Sequence, residues 1–151
     1  MEFSYQDVAK MIDHALLSPT LTVDDLERGL KLAAAYDVAS VCIMPYYVAR
    51  CAEVLSETTV LPSTVIGFPH GGQATSTKVA ESEGAVRDGA IELDMVVNIS
   101  AVLSERWDHV ETEISAIVDL AHRAERKVKV IFENCYLQEK HKIRLCEISC
   151  R

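Results

Sequence analysis

The sequence has no Cys-x-x-Cys pair and no two histidines spaced to face one ligand from a helix. His14, His70, His109, His122 and His141 are scattered, which argues against a structural zinc site. The cysteines (Cys42, Cys51, Cys135, Cys146 and Cys150) are odd in number, so no disulfide framework is expected. No apolar run approaches the ~18–20 residues of a membrane span. The first residues, Met1 to Asp7, lack the charged and apolar regions of a signal peptide, and a cytoplasmic location is expected. No basic cluster offsets the formal net charge of −8, which works against binding to nucleic acid or anionic membranes. Neither a low-complexity segment nor a dividing linker is present, so residues 1–151 are read as a single domain.

What is present suits a folded core: 49% of residues are apolar and 25% charged. Extended and helical patterns alternate from end to end. A short amphipathic helix leads into an extended piece, Met11–Leu17, broken by Ser18-Pro19-Thr20. Thr22 with Asp25 has the spacing of a capping box, and Leu26, Leu30 and Ala33 continue one face of the helix it opens. Val38–Met44 reads as a strand stopped by Pro45, with a helix from Tyr46 to about Leu55. Thr64–Phe68 is the next strand, followed by a Pro69-His70-Gly71-Gly72 loop and a helix over 74–88. The run Gly89–Asn98 is another strand. Ser104 then caps a long helix whose inner face carries Val110, Ile114, Ile117, Val118 and Ala121. A fifth strand, Lys127–Glu133, and a final helix from about Leu137 complete the series.

Five strands alternating with helices predict an α/β fold with a parallel sheet. The length suits an open, doubly wound sheet, since a barrel needs roughly 200–250 residues. The side chains favour a (β/α) barrel, here incomplete with about five strands. Asp94 lies in the middle of a near-continuous apolar strand, where a carboxylate is costly unless it is paired or used. Alternation puts Asp94, Val96 and Asn98 on one face of their strand, as it does Lys129, Ile131 and Glu133 on theirs and Cys42 with Met44 on theirs. Polar groups recurring on one face suit a barrel interior better than a sheet covered by helices. Asp94 and Lys129 then stand on neighbouring strands, either as a buried ion pair or as a carboxylate and amine set for proton transfer at a carbonyl. Asp13 is a candidate catalytic group or a tie for the chain start. Cys42 reads more simply as core filler. Glu133 sits at a strand end, where barrel enzymes place working groups. His70 and the anion-binding turn that Gly71-Gly72 could form are weaker signals.

Several segments together resemble one family. They are Ile12–Leu17, Ala39–Pro45, Thr64–Pro69, Glu92–Asn98 and Val128–Glu133. In order and spacing they are similar to successive signatures of deoxyribose-phosphate aldolases, from about Met11 to Ser149. The resemblance implies a (β/α)8 barrel, of which this chain would hold about the first five units. It also implies a class I aldolase that reversibly cleaves 2-deoxy-D-ribose 5-phosphate to D-glyceraldehyde 3-phosphate and acetaldehyde through a lysine Schiff base, without metal or cofactor. Carried over, Asp94 matches the family's proton-relay aspartate and Lys129 a strand lysine lining the site. Asp13 and Cys42 match pocket-wall positions, and Glu133 is grouped with them as a pocket residue. The Schiff-base lysine of the family lies on a sixth strand in a Lys-Thr-Ser-Thr-Gly context, which does not occur in these 151 residues. Truncation is therefore expected, with weak turnover by the isolated chain. The alternative is a non-catalytic half-barrel serving as an assembly or small-molecule-binding module. The expected partners are a small phosphorylated sugar or aldehyde and further copies of the chain, joined through open sheet edges.

Overall fold

The computed structural model describes residues 2–150. A short helix α1 (Tyr5–Ala9) precedes five strands: β1 (Asp13–Leu16), β2 (Ser40–Ile43), β3 (Leu61–Ile66), β4 (Glu92–Val96) and β5 (Lys127–Ile131). Between and after them lie α2 (Val23–Tyr36), α3 (Val48–Leu55), α4 (Thr75–Arg87), α5 (Ile99–Leu103), α6 (Trp107–Arg123) and α7 (Glu139–Ser149). All strand pairs are parallel and the sheet order is β1-β2-β3-β4-β5, so every neighbour in sequence is a neighbour in space. A doubly wound open sheet reverses its strand order partway, and this one does not.

The apolar core lies between the outer face of the sheet and the helices. Val41, Ile43, Ile66, Leu93 and Met95 are fully buried there against Leu26, Leu30, Val48, Cys51 and Ile117. The helices start where local chemistry can satisfy their first amides. Thr22 Oγ accepts from Asp25 N at 3.2 Å while Asp25 Oδ2 accepts from Thr22 N at 3.1 Å, closing the expected capping box on α2. Gly29 lets that helix pack closely on β1, since a Cβ there would lie 2.6 Å from Leu16 Cδ2 and the leucine would have to move.

The sheet is strongly curved. Neighbouring strands lie ~4.8 Å apart, so a flat sheet would separate β1 from β5 by about 19 Å. Yet Lys129 Nζ on β5 lies 2.6 Å from Asp13 Oδ2 on β1. The two outermost strands face one another across a concave interior, as opposite walls of a barrel do.

Several expected boundaries differ. β3 begins at Leu61, not Thr64, because Leu61 N donates to Ala39 O and Pro62 still offers its carbonyl to Ile91 N. Ser104 does not cap the long helix. It ends α5, an unpredicted short helix that starts where the Asn98 side chain accepts from Ala101 N at 3.1 Å. Glu105 then takes a left-handed conformation (φ 53°), and α6 opens after Arg106. A three-residue 3-10 turn, Pro45–Tyr47, precedes α3.

Candidate active site

Strand register sets which side chains enter the concavity. Asp13 pairs with Ser40, Cys42 with Ser63, Ser63 with Glu92, and Asp94 with Lys129. In parallel strands paired residues share a face, so these seven polar side chains all project inward. Apolar Ala15 and Val65 share that face, paired with Cys42 and Asp94.

Lys129 is the hub. Its ammonium lies 2.6 Å from Asp13 Oδ2, 2.9 Å from Asp94 Oδ2 and 3.4 Å from Glu92 Oε1. Cys42 Sγ donates to the same Asp94 oxygen at 3.3 Å, and Ser40 Oγ donates to Asp13 Oδ1 at 2.7 Å. Asp94 is the buried member at 3% exposure, whereas the Lys129 side chain is 44% exposed. The free Oδ1 of Asp94 and the hydroxyl of Ser63 are buried with no hydrogen-bond partner among the described residues. Buried polar atoms of this kind are uncommon and mark places where a polar ligand atom can be received.

The electrostatics follow from this packing. Partial burial disfavours the Lys129 charge, but the hydrogen bonds it donates to Asp13 and Asp94, together with their charges, outweigh it, holding the lysine pKa above its usual range. Burial likewise opposes ionisation of Asp13, and is outweighed by Lys129 and Ser40, which keep that carboxyl below its usual range. Burial, reinforced by the Asp94 charge, pushes the Cys42 thiol up to about 12. Lys129 is therefore a fixed ammonium at neutral pH, not a free amine able to attack a carbonyl. Cys42 is a thiol, not a thiolate.

Of the residues singled out in the sequence, Asp13, Cys42, Asp94 and Lys129 come together. Glu133 does not join them. β5 ends at Ile131 and Glu133 takes a left-handed conformation (φ 57°), so strand alternation no longer aims its side chain. It has no hydrogen bond or ion pair with the cluster among the described residues. Asn98 leaves the inner face for the same kind of reason, since β4 ends at Val96 and Asn98 caps α5. His70 is exposed and lines an open cavity of about 520 Å³ with Asn98, Ser100 and Tyr136. The Gly71 amide donates to Gly67 O at 2.7 Å and is not free for an anion. No group of three or more His, Cys, Asp or Glu is arranged to hold a metal ion among the described residues. No helix among them is long and apolar enough to cross a membrane.

Sequence reading missed Ser40, Ser63 and Glu92 as members of the cluster, though each is two residues or one strand pairing from a residue it named. It also missed a buried ion pair on the other side of the sheet. Lys78 on α4 and Glu113 on α6 are both fully buried and 2.8 Å apart. The signal was there. Glu113 stands in the inner stripe with Val110, Ile114 and Ile117, and Lys78 precedes buried Ser82 and Ala85 at helical spacing.

A curved, all-parallel sheet whose strands run in sequence order, with carboxylates and a lysine on its inner face, defines part of a (β/α) barrel. The comparisons are specific. Residues 7–144 match the family described as DeoC/LacD family aldolase, and the chain belongs to that family. It is 62% identical over 147 residues to a deoxyribose-phosphate aldolase of Rhodopirellula baltica, covering 97% of this chain and 61% of the relative. A deoxyribose-phosphate aldolase of Caldanaerobacter subterraneus is 44% identical, covering 98% of this chain and 64% of the relative. The fold superposes on the tetrameric deoxyribose phosphate aldolase structure from Aeropyrum pernix with a TM-score of 0.89 at 32% identity, covering 98% of this chain and 62% of that one. The chain thus spans about three-fifths of the length of these relatives.

Proposed function

We propose that residues 1–151 form five βα units of one deoxyribose-phosphate aldolase barrel domain. That enzyme reversibly cleaves 2-deoxy-D-ribose 5-phosphate to D-glyceraldehyde 3-phosphate and acetaldehyde in the cytoplasm. The observation that carries the reading is the Asp94–Lys129 pair, 2.9 Å apart on the inner face beside an unpartnered Asp94 oxygen. In such a reaction an amine condenses with the substrate carbonyl to give an iminium, with loss of water. A base then takes the proton of the β-hydroxyl. The carbon–carbon bond breaks, its electrons pass to the iminium as an enamine, an acid protonates the enamine carbon, and water hydrolyses the resulting iminium to release acetaldehyde and the amine. Asp94 is suited to the proton steps, because its free oxygen faces inward and its other oxygen is anchored. Lys129 anchors and charges the site; Asp13 and Cys42 form its wall.

The fixed ammonium of Lys129 favours a second reading for this length of chain: a non-catalytic half-barrel that binds small carbonyl ligands or assembles. β1 and β5 each have a strand neighbour on one side only, and open edges of this kind recruit further chains. Self-association is accordingly expected in this second reading. A deoxyribose 5-phosphate cleavage assay, with borohydride trapping of acetaldehyde and peptide mapping, separates the two. Turnover or a reduced adduct on any lysine supports the aldolase; neither leaves the half-barrel. An adduct on Lys129 would contradict its assignment as an anchored ammonium. A monomer by light scattering at micromolar concentration would overturn the self-association.

A further inference from the structure

The buried Lys78–Glu113 pair lies outside the polar concavity, between the sheet and its helices, and the chemistry above does not use it. The β3–β4 pairing ends at Ile66 and Met95. Just beyond, two backbone groups are met by side chains from one turn of α4. Gly67 N donates to Glu81 Oε2 at 2.8 Å, and Val96 O accepts from Lys78 Nζ at 2.8 Å. Lys78 also donates to Glu113 Oε2, which accepts from Asn98 N at 3.3 Å. The exits of β3 and β4 are thereby tied to α4 and α6.

The fit leaves little slack. Gly67 is left-handed (φ 66°), and a Cβ there would lie 2.7 Å from Lys78 Cε. Gly71 (φ 63°) brings the β3–α4 loop so close that a Cβ would lie 1.9 Å from Val97 O. Val96 is two residues along β4 from Asp94 and on the same strand face. Apolar residues would fill the space between the helices at similar stability, since replacing a buried ion pair by hydrophobic side chains is often neutral or favourable. They could not bind a carbonyl oxygen and a backbone amide at once.

We propose that Lys78 and Glu113 are positioning residues. Their ion pair clamps the end of β4 so that the Asp94 carboxylate stays in register with Lys129 and Cys42. This rests on the reading of Asp94 as the proton-handling group that Lys129 anchors. The test compares the parent chain with the double variant Lys78→Met/Glu113→Leu, which removes both charges together, by heteronuclear NMR. Amide hydrogen exchange at Asn98, whose acceptor is removed, rises at least about tenfold, the factor of one charge-assisted hydrogen bond, while exchange at Leu93 changes little. The Lys129 side-chain titration moves down by about one pH unit, a tenfold change, as its carboxylate partners loosen. A purely structural pair would alter the first measurement and leave the second unmoved. A folded double variant with unchanged Lys129 titration overturns the proposal. If the double variant does not fold, Glu113→Gln carries the same measurement with the same two outcomes. Neither readout needs turnover: a chain inactive on deoxyribose 5-phosphate whose Lys129 still responds would leave the half-barrel reading and uphold the clamp.

Discussion

Replacing Lys129 by methionine keeps the length and apolar stem of the side chain but removes the cation shared by Asp13, Glu92 and Asp94. Breaking a fully buried pair from one side costs about 3–5 kcal/mol, and an exposed pair seldom more than about 1 kcal/mol. Here the Asp94 side chain is 4% exposed and the Lys129 side chain 44%, so water screens one partner only. A loss of about 2 kcal/mol follows, which for a chain of this size lowers Tm by roughly 4–8 °C. The sign with pH is fixed by the two shifts. Lys129 titrates higher folded than unfolded, so its contribution is complete below its ordinary value and fades only as strong alkali deprotonates it. Asp13 titrates lower folded than unfolded, so its contribution is present above the ordinary carboxylate range and fades as acid protonates it. The variant's deficit is therefore full near pH 7 and shrinks as pH falls through about 4. Circular-dichroism melts of parent and variant across that range measure it. Lys127→Met, at an exposed lysine on the same strand, serves as control and stays within about 0.5 kcal/mol. A deficit absent at neutral pH, or unchanged in acid, would refute the cluster as drawn.

Thiol reactivity separates the cysteines. Cys135, Cys146 and Cys150 are exposed and react promptly with an aromatic disulfide reagent near pH 8, whereas Cys42 and Cys51, both pushed up to about 12, react only on unfolding. Asp94→Asn removes the charge that adds to burial in raising the Cys42 thiol, so Cys42 labelling in the folded variant is faster than in the parent, read by peptide mass mapping. Gly71→Ala forces a Cβ against Val97 O in a left-handed conformation and destabilises by about 2–4 kcal/mol in denaturant melts. Gly72→Ala, with no atom within 4 Å, stays within about 0.5 kcal/mol.

How much of this was legible depended on how locally each feature is determined. The capping box of α2 is written within four residues, Thr22 to Asp25, and appears as read. Alternation along β4 and β5 was enough to put Asp94 and Lys129 on one face, because both strands are regular through those positions. Alternation failed at Asn98 and Glu133 because each lies past a strand end, where one backbone rotation resets the direction of the side chain. Asp13 could be named from its segment, but its contact with Lys129 could not. The two are 116 residues apart, and only the curvature of the whole sheet brings them together. Lys78 and Glu113 were missed for a different reason. Each looks like an ordinary surface charge on an amphipathic helix unless its place in the apolar stripe is weighed above its polarity.

The inner cluster also constrains how a substrate can lie. Three carboxylates against one ammonium leave a formal charge of −2 on the side chains bridged by Lys129. In the proposed reaction an iminium forming at that height would be attracted to the cluster, in a setting where water does little to weaken the field around Asp94. A phosphate at the same height is repelled by the same charges. In the proposed aldolase the phosphorylated end of a sugar would thus be driven toward the strand exits, away from Asp13 and Glu92, and its carbonyl end inward. Lys129 moderates this field without cancelling it, which is why Lys129→Met should deepen the negative potential at the moment it loosens the carboxylates. Weaker anchoring and stronger attraction for a cation then pull in opposite directions. If attraction dominated, the variant would bind small cationic ligands more tightly than the parent; if anchoring dominated, it would bind them no better, and the role of Lys129 would lie in geometry.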